Sequence, residues 1–208
     1  MHPEALTKES ETAFPRLARF RGFYLVGGTA LALQIGHRVS VDFDLFSNTE
    51  LPRALHSRVR RVFPRQFTVP TINNREQLNI SIRGVKTTFF WYRYPPILPL
   101  VTYQGVHMAS IAEIAAMKAF AIGQRGMYRD YVDIYFLLAE RHTTIPKILQ
   151  HAKKKYGGEF NERLFLEQLV YLEDVRSTPV EFLRNPVDHK TIQRFLEGAV
   201  RQFARRLR

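Results

Sequence analysis

Residues 39–46 read VSVDFDLF, with two carboxylates, Asp42 and Asp44, two positions apart in an apolar run rich in β-formers. Along a strand, residues i and i+2 share a face. Val41, Phe43 and Leu45 are thereby expected in a core, and both carboxylates together on the opposite side. Two like charges side by side repel, and neither ionises cheaply unless a cation joins them. A hard divalent ion suits the pair: Mg2+, with Mn2+ as the alternative, takes one or two carboxylates and completes its sphere with substrate phosphates. An Asp-x-Asp pair also arises on any solvent-facing strand edge. Here it is set among Val, Phe and Leu, where a bare double charge is costly.

Just upstream stands FYLVGGTALALQIGHR, an apolar strand, a glycine turn and a short helix. Gly27 and Gly28 let the backbone approach a ligand closely. The helix that follows offers unpaired N–H groups and the positive end of its dipole to a phosphate. Thr29 is placed either to cap that helix or to donate its hydroxyl to the phosphate. The spacing is neither that of a Walker loop nor that of a dinucleotide fingerprint. A returning strand brings Asp42 and Asp44 beside the phosphate-binding end, so the two motifs together predict a metal-assisted phosphate site.

A third constellation runs from Lys118 through Arg125, Arg129 and Asp130 to Asp133. On one continuous helix, positions 118, 122, 125, 129 and 133 lie along one face, a cationic stripe ending at an acid. Gly123 and Gly126 are positioned to break it into two arms. An i,i+4 ion pair between Arg129 and Asp133 is the plain alternative, worth only a few tenths of a kcal/mol if exposed. Lys118 sits among Ile114, Ala115, Met117 and Phe120, and a lysine rising from so apolar a helix is suited to triphosphate oxygens.

The elements that must position these groups follow from pattern. Glu4–Phe20 reads as a helical lead-in disturbed at Pro15. Phe23–Val26 is a buried strand, Thr29–Ile35 a helix ended by Gly36, Val39–Phe46 the aspartate strand and Leu51–Phe63 a basic amphipathic helix. Gln77–Ile82 and Lys86–Tyr92 form a hairpin about Arg83-Gly84-Val85, and Val101–Val106 is one more strand. From Ser110, which with Glu113 fits a capping box, the pattern is helical: to Ile122, then Tyr128–Glu140, Ile145–Tyr156, Glu162–Leu172 and Asp188 to the end. The expectation is an α+β chain: a mixed β-sheet lobe with flanking helices over residues 1–108, then an all-helical lobe over 109–208.

Composition narrows the classes. The chain has 208 residues, 45% apolar and 24% charged, which is ordinary for a globular protein. It has no cysteine, which excludes disulfides and thiolate metal sites, and its seven histidines lack zinc-site spacing. No stretch approaches the ~20 apolar residues that span a bilayer, and the N-terminus lacks a signal pattern, so the expected location is the cytoplasm with no membrane partner. The formal net charge is +12 and the pI near 10.2. Basic residues gather at Arg58, Arg60, Arg61 and Arg65, at Lys153, Lys154 and Lys155, and at Arg201, Arg205, Arg206 and Arg208. Such a field attracts polyanions, RNA among them.

The order Gly-Gly-Thr-Ala-Leu, Asp-Phe-Asp-Leu-Phe, then Lys…Arg…Arg-Asp-x-x-Asp resembles the AbiEii/AbiGii toxins, nucleotidyltransferase-fold proteins of abortive-infection toxin–antitoxin systems. The resemblance runs from about Phe23 to Leu138 and implies the DNA polymerase β-like superfamily fold, a nucleotidyltransferase-like sheet lobe with a helical second lobe. By that likeness Gly27, Gly28 and Thr29 hold the triphosphate, and Asp42 and Asp44 bind the metal and are catalytic with Lys118 and Asp133. Lys118, Arg125 and Arg129 contact the nucleotide. The residues leave the last acid open, Asp133 fitting a buried position and Asp130 a capping or salt-bridge role. Many relatives of the wider superfamily carry a third acid on a later strand. Here Val85–Phe90 has none, and Glu76, the nearest acid, falls in a loop. The implied reaction is transfer of NMP from an NTP to an acceptor hydroxyl, in RNA and at the tRNA 3′ end, with an antitoxin as a further partner. The alternative is a non-catalytic RNA-binding protein that keeps the fold.

Overall fold

The computed structural model describes residues 1–64, 66 and 70–206. Arg65 and Arg208, counted above in two basic clusters, lie outside the described residues. The described chain forms two compact units, Met1–Ser110 and Ile111–Arg208.

In the first unit a short 3-10 turn at Pro3–Ala5 precedes α1 (Lys8–Ala13), and a second 3-10 segment, Phe14–Arg19, carries Pro15. The lead-in is thus broken where proline removes a helical hydrogen bond. Then come β1 (Tyr24–Val26), α2 (Gly27–Ile35), β2 (Asp42–Ser47) and α3 (Leu55–Val62). Strands β3 (Ile72–Asn73), β4 (Gln77–Ile82), β5 (Val85–Trp91), β6 (Val101–Tyr103) and β7 (Val106–Met108) complete the unit. The mixed seven-stranded sheet has the order β3-β4-β5-β2-β1-β7-β6. The aspartate strand β2 is interior, antiparallel to β1 and parallel to β5.

One face of the sheet is closed. Phe43, Leu45, Leu78, Ile80 and Phe89 alternate onto it and meet Phe14, Leu17, Phe20, Val59 and Phe63, all buried. Phe89 takes Phe20 and Phe23 edge-on at 5.0 and 5.2 Å, a favoured geometry for aromatic pairs. Val41 does not join this core: it is 43% exposed, because the strand starts only at Asp42 and the preceding residue is outside the pleat. The stretch expected as one strand over Val101–Val106 is a hairpin. Gln104 and Gly105 both take positive φ, 48° and 78°, and that signature turns β6 back onto β7.

The second unit comprises α4 (Ile111–Gln124), α5 (Tyr128–Ala139), α6 (Ile145–Tyr156), α7 (Glu162–Val170) and α8 (His189–Arg205). Thr144, Asn161 and Asp188 cap the last three by accepting backbone N–H bonds. The capping box at Ser110 does not form: its Oγ has no hydrogen-bond partner among the described residues, and Glu113 is wholly buried with Lys155 Nζ 2.6 Å from its Oε1. Lys155 therefore leaves the basic cluster read at 153–155. It shares the inward face of α6 with Ile148 and Ala152, while Lys153 and Lys154 are exposed. Burial pushes the Lys155 ammonium below its ordinary value, against the pull of Glu113.

Candidate active site

β1 ends at Val26 and the chain turns straight into α2, so both glycines are the first helical residues and not a separate loop. Gly27 takes φ +69°, and a Cβ on it would stand 2.8 Å from Asp44 Oδ2. A Cβ on Gly28 would collide with Arg38 Nη2. Glycine is favoured at 27 by its left-handed φ beside a carboxylate, and at 28 the space a side chain would take holds the Arg38 guanidinium. The N-cap residue, Val26, supplies no side-chain cap to α2, and the positive end of that helix lies beside Asp44.

Asp42 and Asp44 lie half-buried on the face opposite Phe43 and Leu45, as the alternation requires. Val26 pairs with Asp44 across the antiparallel ladder, which fixes the glycine turn against the second carboxylate. Thr29 tightens the same junction. It is 2% exposed, and its hydroxyl bonds Ser40 Oγ at 2.8 Å and the Asp42 carbonyl. The side chain thus ties α2 to the start of β2, and the group it presents at the helix terminus is its backbone N–H.

The approach to Asp42 is strapped from below. Ser40 N–H donates to Ala5 O at 2.9 Å, and His2 N–H to Leu33 O at 2.7 Å. Gly36, at φ +63°, ends α2 with the His2 ring packed where its Cβ would be. Arg38 is 3% exposed and donates through Nη1 to Val39 O at 3.1 Å. The sequence reading passed over Arg38 and Ser40. Their only signal is a charged and a polar residue in a short link between an apolar helix and the aspartates.

On β5 the residues in register with Asp42 and Asp44 are Lys86 and Thr88. They share the carboxylate face, with Lys86 exposed and Thr87 and Phe89 turned to the core. The position for a third acid is thus filled by an ammonium and a hydroxyl. No cluster of three or more His, Asp or Glu suited to a metal occurs among the described residues. The donor set is two carboxylates on one face, which fits a hard cation that brings phosphate oxygens with it.

In the helical unit, α4 runs through Gly123 and stops at Gln124, and Gly126 (φ +46°) turns the chain into α5. The stripe is therefore not continuous. Asp130 and Asp133, three apart, share a face of α5. Both reach Lys118 Nζ, at 2.6 Å from Asp130 Oδ1 and 2.7 Å from Asp133 Oδ2. All three are buried. Asp133 is thus paired with Lys118, Arg129 is half-buried and Arg125 exposed beyond the helix end. Asp130 occupies the first turn of α5, where a negative charge meets the helix dipole favourably.

Comparison with known proteins gives a consistent picture. Residues 12–98 and 53–207 match the family model described as nucleotidyl transferase AbiEii toxin, type IV TA system. The chain is 33% identical over 181 residues to the uncharacterized protein aq_aa25 of Aquifex aeolicus (strain VF5), covering 85% of this chain and 87% of that one. A crystal structure of a candidate nucleotidyltransferase from H. pylori superposes with a TM-score of 0.56 at 18% identity, over 94% of this chain and 92% of the other. JHP933 from Helicobacter pylori gives 0.57 at 17%, over 97% and 94%. At such identities the likeness shows the fold, a nucleotidyltransferase fold.

Proposed function

Because the chain belongs to the AbiEii nucleotidyl transferase toxin family, we propose that it transfers NMP from an NTP to a hydroxyl of RNA, such as a tRNA 3′ end. The observation that supports this most is the convergence at one turn of a helix N terminus, two glycines and two carboxylates. Asp42 and Asp44 would hold a divalent ion, Mg2+ or Mn2+, which when bound offsets triphosphate charge and polarises the phosphoryl oxygen. The first-turn N–H groups after Gly27 and Gly28 bind phosphate oxygens, with Thr29 locking the turn to β2. The acceptor oxygen forms a bond to the α-phosphorus, the bond to pyrophosphate breaks, and the hydroxyl proton passes to water. In the helical unit, Lys118, Arg125 and Arg129 remain the nucleotide contacts that the family resemblance implies, with Lys118 held in place by Asp130 and Asp133.

The exposed arginines of α3 and α8, with Lys153 and Lys154, suit a polyanionic acceptor. No helix of the described residues is long and apolar enough to cross a membrane. Action on cytoplasmic RNA, held in check by an antitoxin, completes the reading. One observation favours a second reading, an RNA-binding protein without catalysis: Lys86 and Thr88 stand where a third carboxylate would serve. Incubating the protein with each α-labelled NTP, Mg2+ and total RNA separates them. The catalytic reading expects label in RNA, lost in Asp42→Ala/Asp44→Ala; RNA retained by the wild type without label from any NTP would leave only the second.

A further inference from the structure

Past Asp44, the open sheet face changes from carboxylate to aromatic. Phe46 follows Asp44 by two on β2, and Phe90 is its register partner on β5. Their ring centroids are 5.4 Å apart, Tyr92 lies 4.8 Å from Phe46, and Tyr94 lies 5.3 Å from Tyr92. Arg93 carries its guanidinium 4.8 Å from the Tyr94 ring centroid and donates to the Tyr94 hydroxyl at 2.6 Å. Phe90 and Tyr92, with Trp91, Arg93, Tyr94 and Glu76, line an open cleft of about 350 Å³.

This aromatic group differs from the one on the opposite face. Phe14, Phe20, Phe43 and Phe89 are buried to 2% exposure or less, as core packing requires. Phe46, Phe90, Trp91, Tyr92 and Tyr94 all keep part of their surface in solvent. Half-exposed rings in a concave wall, with one guanidinium and one carboxylate at the rim, match a flat ligand that has an aromatic face and a polar edge. A nucleobase is such a ligand. Its face stacks on tyrosine or phenylalanine whatever its identity, its ring also accepts a guanidinium plane, and its amino or imino N–H groups suit the Glu76 carboxylate. The row begins about 7 Å from Asp44, two residues along a strand at ~3.3 Å each, roughly one ribose beyond a phosphate held at the carboxylates.

We propose that the Phe46–Phe90–Tyr92–Tyr94 row and its cleft form a nucleobase-stacking subsite that extends the carboxylate site along the same sheet face. The proposal rests on the nucleotidyl-transfer reading for its context, and it concerns the base of either the incoming nucleotide or the acceptor strand.

Trp91 is the only tryptophan of the chain and lines the cleft, so its fluorescence reports occupancy. Nucleoside 5′-monophosphates, titrated without Mg2+, are expected to quench it saturably, whereas ribose 5-phosphate leaves it unchanged. The quench is expected to persist in Asp42→Ala/Asp44→Ala and to need about tenfold more nucleotide in Tyr92→Leu and in Tyr94→Leu. Thermal melts by circular dichroism establish that each variant is folded. Tyr94 lies at the outer end of the row, so its variant is informative even if Tyr92→Leu unfolds. In the transfer assay, a raised KM for NTP in Tyr94→Leu assigns the base to the nucleotide, and a raised KM for RNA assigns it to the acceptor. An equal response to ribose 5-phosphate, or undiminished nucleotide affinity in folded Tyr94→Leu, overturns the subsite. Loss of label transfer with the quench intact would sink the catalytic reading and spare the subsite, and the converse would do the opposite.

Discussion

The two units handle acidic side chains in opposite ways. In the sheet unit Asp42 and Asp44 are like charges side by side on one face of an interior strand. In the helical unit Asp130 and Asp133 are also side by side, but both hold the ammonium of Lys118, and nearby Glu113 holds Lys155. The helical carboxylates are compensated from within, so they contribute to folding as long as the lysine stays. The strand pair is half-buried and faces the glycine turn, with Asp44 Oδ2 close against Gly27, an arrangement suited to a cation that brings phosphate oxygens with it.

That contrast can be broken in a graded way. The largest effect is expected from Asp42→Ala/Asp44→Ala, which should lower NMP transfer to background in a protein that circular dichroism shows to be folded. Undiminished transfer in that folded variant would mean that the pair is not the site. Lys118→Met should act chiefly on stability. It leaves two buried carboxylates without their cation, and urea unfolding should show a loss of about 3–5 kcal/mol, with activity falling too. A Lys118→Met protein as stable as wild type would remove the distinction between the two units.

A smaller effect is expected at the turn itself. Gly27→Ala forces an L-residue to φ +69° and sets a methyl 2.8 Å from Asp44 Oδ2. The left-handed conformation costs roughly 1–2 kcal/mol. The displaced carboxylate should reduce transfer far more than that strain reduces stability, which kinetics and melts on the same variant would compare.

The smallest effect concerns Tyr131, a fully buried residue whose hydroxyl has no hydrogen-bond partner among the described residues. Burial, aided by the Asp130 charge, pushes its phenol from the ordinary 10.0 up to about 12. The folded chain keeps this proton after the unfolded chain has lost it. Its contribution to stability is therefore full below about pH 10 and lost as pH rises toward 12. Tyr131→Phe should leave stability near neutrality almost unchanged and make the alkaline decline shallower; an identical decline would contradict the assignment.

Much of this was legible in the sequence, because it rests on local periodicity. The i,i+2 alternation of DFDLF placed the aspartates on one face with no knowledge of neighbours, and Gly36 and Arg83-Gly84 announced their turns by residue type. What escaped was tertiary. Nothing local distinguishes Lys155 from Lys153 and Lys154 until α6 docks its Ile148 face and brings Glu113 within reach. The same contact removed Glu113 from the capping box at Ser110. Arg38 carries no local signal of its place, yet it is buried against Gly28. Gln104-Gly105 is a turn dipeptide inside a β-prone run, and only its positive φ values show two strands instead of one. The absence of an acid on β5 was visible in the sequence, but that Lys86 and Thr88 face the pair needed the parallel register.

The central claim is that the Asp42–Asp44 pair and the glycine turn form one metal–triphosphate site. Calorimetric titration of a non-hydrolysable NTP analogue, with and without Mg2+, into wild type and folded Asp42→Asn/Asp44→Asn tests it most directly. The account predicts Mg2+-dependent binding to the wild type that the variant loses. Equal, Mg2+-independent binding to both would contradict it.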